Sequence, residues 1–242
     1  MIDYKIMSMR ERQDNVDRLK NILSLSDCDI VYDKGDNSPL STAISAWGES
    51  YTNGITHRVL LQDDVQVCNG FMEICDRVSL SHPNEVVGVF PFDTLNIDFD
   101  LNDSPFYDLS ILSGCAIMMP VKYIDPFIEY AKEKPVENRD NWTLRAFCED
   151  NGIRMIQTVP ALVQHIGDVS LFCASSGIRR TKYFQENPIA DWGVKKINTP
   201  KFYSESEKIL CEAIRKPKRD YQDWRKKECN ARFISGIKIR KV

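Results

Sequence analysis

The stretch "HRVLLQDDVQVCNGF", His57 to Phe71, decides how this chain is read. Val59 to Leu61 form the apolar core of a strand. Gln62 follows, then two adjacent carboxylates, Asp63 and Asp64, and then Val65 and Val67. Neighbouring side chains on extended backbone point to opposite sides, so the two carboxylates leave one strand end in different directions. A short apolar run with polar flanks reads as a strand buried inside an α/β sheet. In such sheets ligands bind beyond the carboxyl ends of the strands. A solvated turn explains an isolated Asp-Asp pair equally well, so the surrounding chain has to decide.

Strand and helix patterns alternate on both sides of it. "YKIMSM" reads as a first strand, and "RERQDNVDRLKNIL" as a helix with Val16, Leu19, Ile22 and Leu23 at helical spacing. "DIVY" is a short strand entering a polar loop, and Pro39 opens a helix over 40–50. After the carboxylates, "FMEICDRV" is a helix burying Phe71, Ile74 and Val78. "EVVGVFPF" and "ILSGCAIMMP" are strands, "KYIDPFIEYAKEK" is mostly helical, and "RDNWTLRAFCEDNG" is a helix closed by Gly152. One or two strands follow in "IRMIQTVPALVQHIGDVS". This order predicts an α/β fold with a mostly parallel sheet flanked by helices over residues 1–175. The periodicity fades from about residue 175, which predicts an irregular or helical extension over 176–242.

Composition narrows the class. The 242 residues are 43% hydrophobic and 28% charged, as in an ordinary globular protein. Neither a stretch of about 18 apolar residues nor a signal-like N-terminus is visible. The eight cysteines form no C-x-x-C pair and several lie in apolar runs, which points to buried thiols in a reducing cytoplasm. His57, His82 and His165 are too scattered for a zinc cluster. The formal net charge of −3 is unevenly spread: from Arg215 to Val242, eleven Lys or Arg face three acids, leaving −11 on residues 1–214.

Taken in order, these segments resemble the GT-A glycosyltransferases. "RVLLQDDVQVCNGF" resembles the family's strand ending in an aspartate cluster. "IMSMRERQDNVDRLKNIL" is similar to its opening strand, arginine-bearing turn and first helix, and "ISAWGES" to the helix before the aspartates. "ILSGCAIMMP" resembles an acceptor-side strand, "NRDNWTLRAF" the segment carrying a catalytic acid at a helix start, and "VQHIGDVS" a late histidine segment. The likeness spans about residues 3–172. The sequence departs from the family in having Gln62 where an acidic residue often stands, and in lacking a glutamate just before Asp140.

The resemblance implies a Rossmann-like GT-A core and transfer of a sugar from a nucleoside diphosphate, UDP foremost, to a hydroxyl. It implies Mn²⁺ or Mg²⁺ on Asp64, with His165 as a second ligand or a diphosphate contact. Ser8, Arg10, Arg12, Asp33, Asp63 and Gly114 would meet the sugar nucleotide. Asp140 would take the acceptor's proton, with Glu137 as substitute; an aspartate there also suits a helix N-cap.

Trp47 and Trp142 are expected in the core. Trp192, Arg179, Arg180 and Trp224 are expected on the acceptor side. A basic tail interleaved with aromatics suits nucleic acid or an anionic membrane surface, and a solvated basic face is the plain alternative. A GT-A core with such a tail resembles the phage enzymes that glycosylate hydroxymethylated bases in DNA. Lipopolysaccharide or capsule assembly at a membrane face is an alternative acceptor chemistry. An inactive nucleotide-sugar or nucleic-acid binding module is a third reading.

Overall fold

The computed structural model describes residues 1–36, 38–91, 97–98, 104–108, 113–136, 138–167, 180–199 and 201–202. The chain divides into two compact units. The first is Met1–Asp93 with Phe99–Pro200, and the second is Thr94–Asp98 with Lys201–Val242. In the second, β6 (Ile97–Asp98) and β11 (Lys201–Phe202) pair antiparallel. The boundary expected at residue 175 therefore falls inside the first unit. Residues 181–199 belong there because they hydrogen-bond to it: Ala161 N–H to Tyr183 C=O at 3.0 Å, and Asn198 N–H to Phe106 C=O at 2.8 Å.

The first unit begins with β1 (Ile2–Ser8), α1 (Gln13–Leu23), β2 (Ile30–Tyr32), α2 (Pro39–Trp47) and β3 (His57–Gln62). Next come β4 (Val65–Val67), α3 (Phe71–Ser81), β5 (Val86–Gly88), β7 (Phe106–Asp108) and β8 (Ala116–Pro120). Last are α4 (Ile124–Glu133), α5 (Asp140–Asp150), β9 (Met155–Thr158) and β10 (Val163–His165). Seven strands form one sheet in the order β2-β1-β3-β8-β5-β9-β7. Strands β2, β1, β3, β5 and β9 run one way, and β8 and β7 run against them. The mostly parallel α/β sheet is as the sequence predicts, with two reversed strands added.

Alternation along each strand builds a core on both faces. Tyr4 and Ile6 of β1, Val59 and Leu61 of β3, and Ala116 and Met118 of β8 pack with α1 and α3. Met7, Leu60, Ile117 and Met119 point the other way, onto α2, α4 and α5. Helix α1 buries Val16, Leu19 and Leu23, whereas Ile22 is 54% exposed. At 100° per residue, Ile22 lies well off the stripe shared by the other three. Helix α2 starts at Pro39, with the Ser38 hydroxyl accepting from the Ser41 N–H, and stops at Trp47 before Gly48, short of the predicted residue 50. Gly152, at φ +63°, closes α5 as predicted.

Two features of the sheet fix where its strand ends lie. First, the chain leaves β1 through α1 to β2 on one side, then returns through α2 to β3 on the other side of β1. Crossovers in opposite directions put α1 and α2 on opposite faces, and a crevice opens at the carboxyl end of β1. Second, Arg58 of β3 is wholly buried. Its guanidinium donates to the Asp3 carboxylate and to the Ala46 and Trp47 carbonyls at the end of α2.

His57 opens β3 and is also buried, with Nε2 lacking a partner and Nδ1 3.0 Å from Thr56 Oγ1. Burial, then nearby positive charge, depresses it to about 4. A folded-state value below the unfolded one of about 6.5 means the native state holds this imidazole neutral. Its contribution is full above pH ~6.5 and is lost as pH falls toward 4. We expect His57 to cost the protein roughly 3 kcal/mol between those limits. Urea titrations of the parent and His57→Asn at pH 7.5 and 4.5 check this; equal pH slopes would contradict it.

Candidate functional site

Asp63 and Asp64 sit at the turn between β3 and β4, both almost wholly buried. Burying two like charges side by side requires compensation. The Asp63 N–H extends the β1–β3 ladder to the Met7 carbonyl at 3.1 Å, which seats its side chain over the end of β1. There the Ser8 hydroxyl donates to Asp63 Oδ2 at 2.6 Å. Arg12 follows from the turn after β1, and its Nη1 reaches Asp63 Oδ1 at 3.0 Å and Asp64 Oδ2 at 2.5 Å. One guanidinium nitrogen thus bridges both aspartates.

His165 arrives by a separate route. Strand β10 pairs antiparallel with β4, setting His165 opposite Val65, and the Ile166 N–H donates to the Asp64 carbonyl at 2.8 Å. His165 Nε2 lies 3.3 Å from Asp64 Oδ2. Gly167 comes so close that a Cβ there would stand 2.5 Å from the same oxygen. Arg18, on α1, donates to the Val65 carbonyl at 2.7 Å and adds positive charge to the cluster.

These surroundings drive the two carboxylates apart. Burial raises Asp63, and the Ser8 hydrogen bond and Arg12 offset this in part. Burial pushes Asp64 up too, but the His165 contact and Arg12 outweigh it and hold Asp64 below the usual carboxylate range. Asp64 Oδ1 is buried without a partner, as is His165 Nδ1. Among the described residues no three His, Cys, Asp or Glu form a metal cluster. The donor set of Asp64 and His165 fits a divalent ion of the kind that takes few protein ligands and completes its shell with phosphate oxygens and water.

The facing side of the crevice carries Gly114 and Asp140. Strand β8 runs antiparallel to β3, and the Gln62 N–H meets the Cys115 carbonyl at 2.8 Å, so Gly114 falls level with Asp63 along the sheet edge. A Cβ on Gly114 would meet Asp140 Oδ2 at 2.9 Å and Oδ1 at 3.2 Å. Asp140 is the first residue of α5 rather than its cap, a place held by Arg139 without a side-chain hydrogen bond. Burial raises Asp140 above the ordinary carboxylate value, against the pull of the Asn141 N–H and its own.

The remaining predicted residues divide. Asp33 follows β2, its N–H on the Ser8 carbonyl and its carboxylate accepting from the Gly35 N–H and the Thr42 hydroxyl. Arg10 is exposed and stacks over the Tyr32 ring at 5.1 Å. Arg180 is exposed, next to Thr181, which exchanges two hydrogen bonds with Gln164 of β10. Trp192 is corrected: it is 3% exposed, edge-on to Phe106, and its carbonyl accepts from the Ser81 hydroxyl, so its ring is core rather than an acceptor platform. Trp47 is core as expected, and Trp142 is half-buried under Arg145. Glu137, Arg179 and Trp224 lie outside the described residues.

Arg18 escaped the sequence reading because its position, one and a half turns into α1, has no motif.

Two glycines therefore carry a test. Gly167→Ala and Gly114→Ala each force a side chain into a carboxylate, and should cost about 1–3 kcal/mol, the scale of overpacking a filled site. Thermal melts of both variants check it; midpoints equal to the parent's would mean the carboxylates have room to move.

No known protein family matches the chain, and no curated protein matches it in sequence. Among the described residues no helix is long and apolar enough to cross a membrane. Among solved structures the chain is similar to a Drosophila beta-1,4-galactosyltransferase 7 mutant in complex with manganese, UDP-Gal and xylobiose. The identity is 10%, the TM-score 0.38, and the match covers 69% of this chain and 71% of that one. So distant a likeness leaves the function to be argued from the site itself.

Proposed function

We propose that the chain is a glycosyltransferase that moves a sugar from a nucleoside diphosphate, UDP foremost, to a hydroxyl acceptor. The observation that carries this reading is the buried Asp63–Asp64 pair at the switch point of the sheet, with Ser8, Arg12 and His165 on one side and Gly114–Asp140 on the other. Asp64 and His165 would hold Mn²⁺ or Mg²⁺, which supplies charge neutralisation for the departing diphosphate. Asp63, held by the Ser8 hydroxyl, would accept from a sugar or ribose hydroxyl. Asp33, at the end of the neighbouring strand, suits the nucleotide base. Asp140 takes the proton of the attacking hydroxyl, and its raised basicity suits that task.

For the acceptor, the reading is a hydroxymethylated base in DNA. Its support is the net +8 of residues 215–242, with Arg179, Arg180 and Trp224 as further contacts.

Donor and acceptor are tested together. The full chain, with Mn²⁺ and a panel of sugar nucleotides, is offered DNA containing hydroxymethylated pyrimidines, and separately lipid-linked saccharide, and the products are weighed by mass spectrometry. Mass added to the DNA is expected. Mass added to the lipid alone would replace the acceptor. UDP release that Asp64→Asn does not abolish would overturn the transferase reading itself.

Asp140→Asn isolates the base. Asparagine keeps the size and hydrogen-bonding shape of the side chain and removes the basicity. Turnover should fall roughly 10²-fold or more with donor affinity nearly unchanged. The acid limb of the parent's pH–rate profile should lie above the ordinary carboxylate range. A variant within a few-fold of the parent would take Asp140 out of the role.

A further inference from the structure

We infer that Arg12 is the resident counter-ion of the Asp63–Asp64 pair and gives up Asp64 when a divalent cation enters, so that cation and diphosphate bind together rather than separately. The inference rests on the proposed function and concerns the order in which the site fills.

The geometry is specific. Arg12 Nη1 contacts Asp64 Oδ2 at 2.5 Å, the oxygen that His165 Nε2 also approaches, at 3.3 Å. The same nitrogen holds Asp63 Oδ1 at 3.0 Å. A cation on Asp64, whose Oδ1 has no partner, and a guanidinium on its Oδ2 are like charges on one carboxylate, and both aspartates are buried, where little water screens them. One of the two positive groups must move. Asp64 and His165 are both tied to the β4–β10 ladder, through the Ile166 N–H and the His165–Val65 register. Arg12 is the side chain with an exit: 18% of it is exposed, against 4% and 7% for the two aspartates, and it stands on the turn after β1.

Leaving Asp64 takes from the guanidinium one of the two carboxylates it bridges, and only a new anionic partner makes up that loss. A diphosphate supplies that partner, since a guanidinium pairs with phosphate oxygens through two parallel N–H bonds. Cation alone must compete with Arg12. Cation with diphosphate gives Arg12 a second seat. The two ligands are thereby coupled, and linkage requires each to tighten the other by the same factor.

Electron paramagnetic resonance of free Mn²⁺, titrated with the full chain, tests this with and without UDP. Parent protein should bind Mn²⁺ weakly alone and at least fivefold more tightly with UDP, within the usual span of coupling between sites. Arg12→Gln should bind Mn²⁺ alone roughly tenfold more tightly than the parent, since the competing charge is gone, and should lose most of the gain from UDP. Arg12→Lys keeps the charge and should stay within about threefold of the parent without UDP.

Should Arg12→Gln melt early because two carboxylates are left uncompensated, Mn²⁺ alone must raise its melting temperature more than it raises the parent's. An Arg12→Gln protein with unchanged Mn²⁺ affinity, or an equal thermal shift, overturns the inference while the parent's binding of UDP and Mn²⁺ leaves the proposed function standing. A parent that binds neither sinks both.

Discussion

Two carboxylates lie side by side beneath the protein surface, and a single guanidinium nitrogen holds them together. Most of what is distinctive in this molecule depends on that arrangement. Breaking a buried charge pair from one side costs about 3–5 kcal/mol, because the remaining charge has nowhere to go. Here Arg12 answers both anions directly, with Ser8, His165 and the more distant Arg18 adding to it. The cluster is therefore held tightly, and yet Asp64 Oδ1 stays buried without a partner. A divalent ion would supply one.

The site is assembled by topology more than by local sequence. Ser8 ends β1, Asp33 follows β2, and Asp63 follows β3, three adjacent parallel strands whose carboxyl ends meet at the point where the chain reverses direction across the sheet. The antiparallel β8 then delivers Gly114 to the same edge from the opposite direction. Asp140 needs that glycine, because any Cβ there would occupy the space its carboxylate fills. A mixed sheet can thus bring residues from strand ends and from a strand beginning to one crevice, which a purely parallel sheet cannot do.

The order of strands and helices was legible because their apolar periods differ, and Asp63 and Asp64 stood out as charges closing a buried run. His165 was visible as a histidine after a strand, but its closeness to Asp64 depends on the pairing of β4 with β10, two three-residue strands with no sequence signature. Arg12 suits a diphosphate contact on sequence, whereas its bridging of the aspartates depends on how far the turn after β1 reaches. The sequence misplaces Trp192 for a physical reason. Its segment has no periodicity, which suggested exposure, yet irregular backbone packs as deeply as a helix when rings such as Phe106 and His82 supply a surface and side chains hold its carbonyls. Ile22 erred the other way, an apolar residue at plausible spacing that falls off the stripe.

Arg58 has a bearing on all of this from the far end of β3. A strand buried on both faces by Val, Leu and Ile can slide by two residues against its neighbours with little change in apolar contact. A strand carrying a wholly buried guanidinium cannot. A shift of one residue would turn Arg58 into the opposite core, and a shift of two would carry it away from Asp3 and from the α2 carbonyls that satisfy it. Either would leave a charge in apolar surroundings. The arginine thus acts as an alignment pin, and the position of Asp63 and Asp64, five and six residues further along the chain in the turn that follows the strand, is set by an ion pair that never touches them.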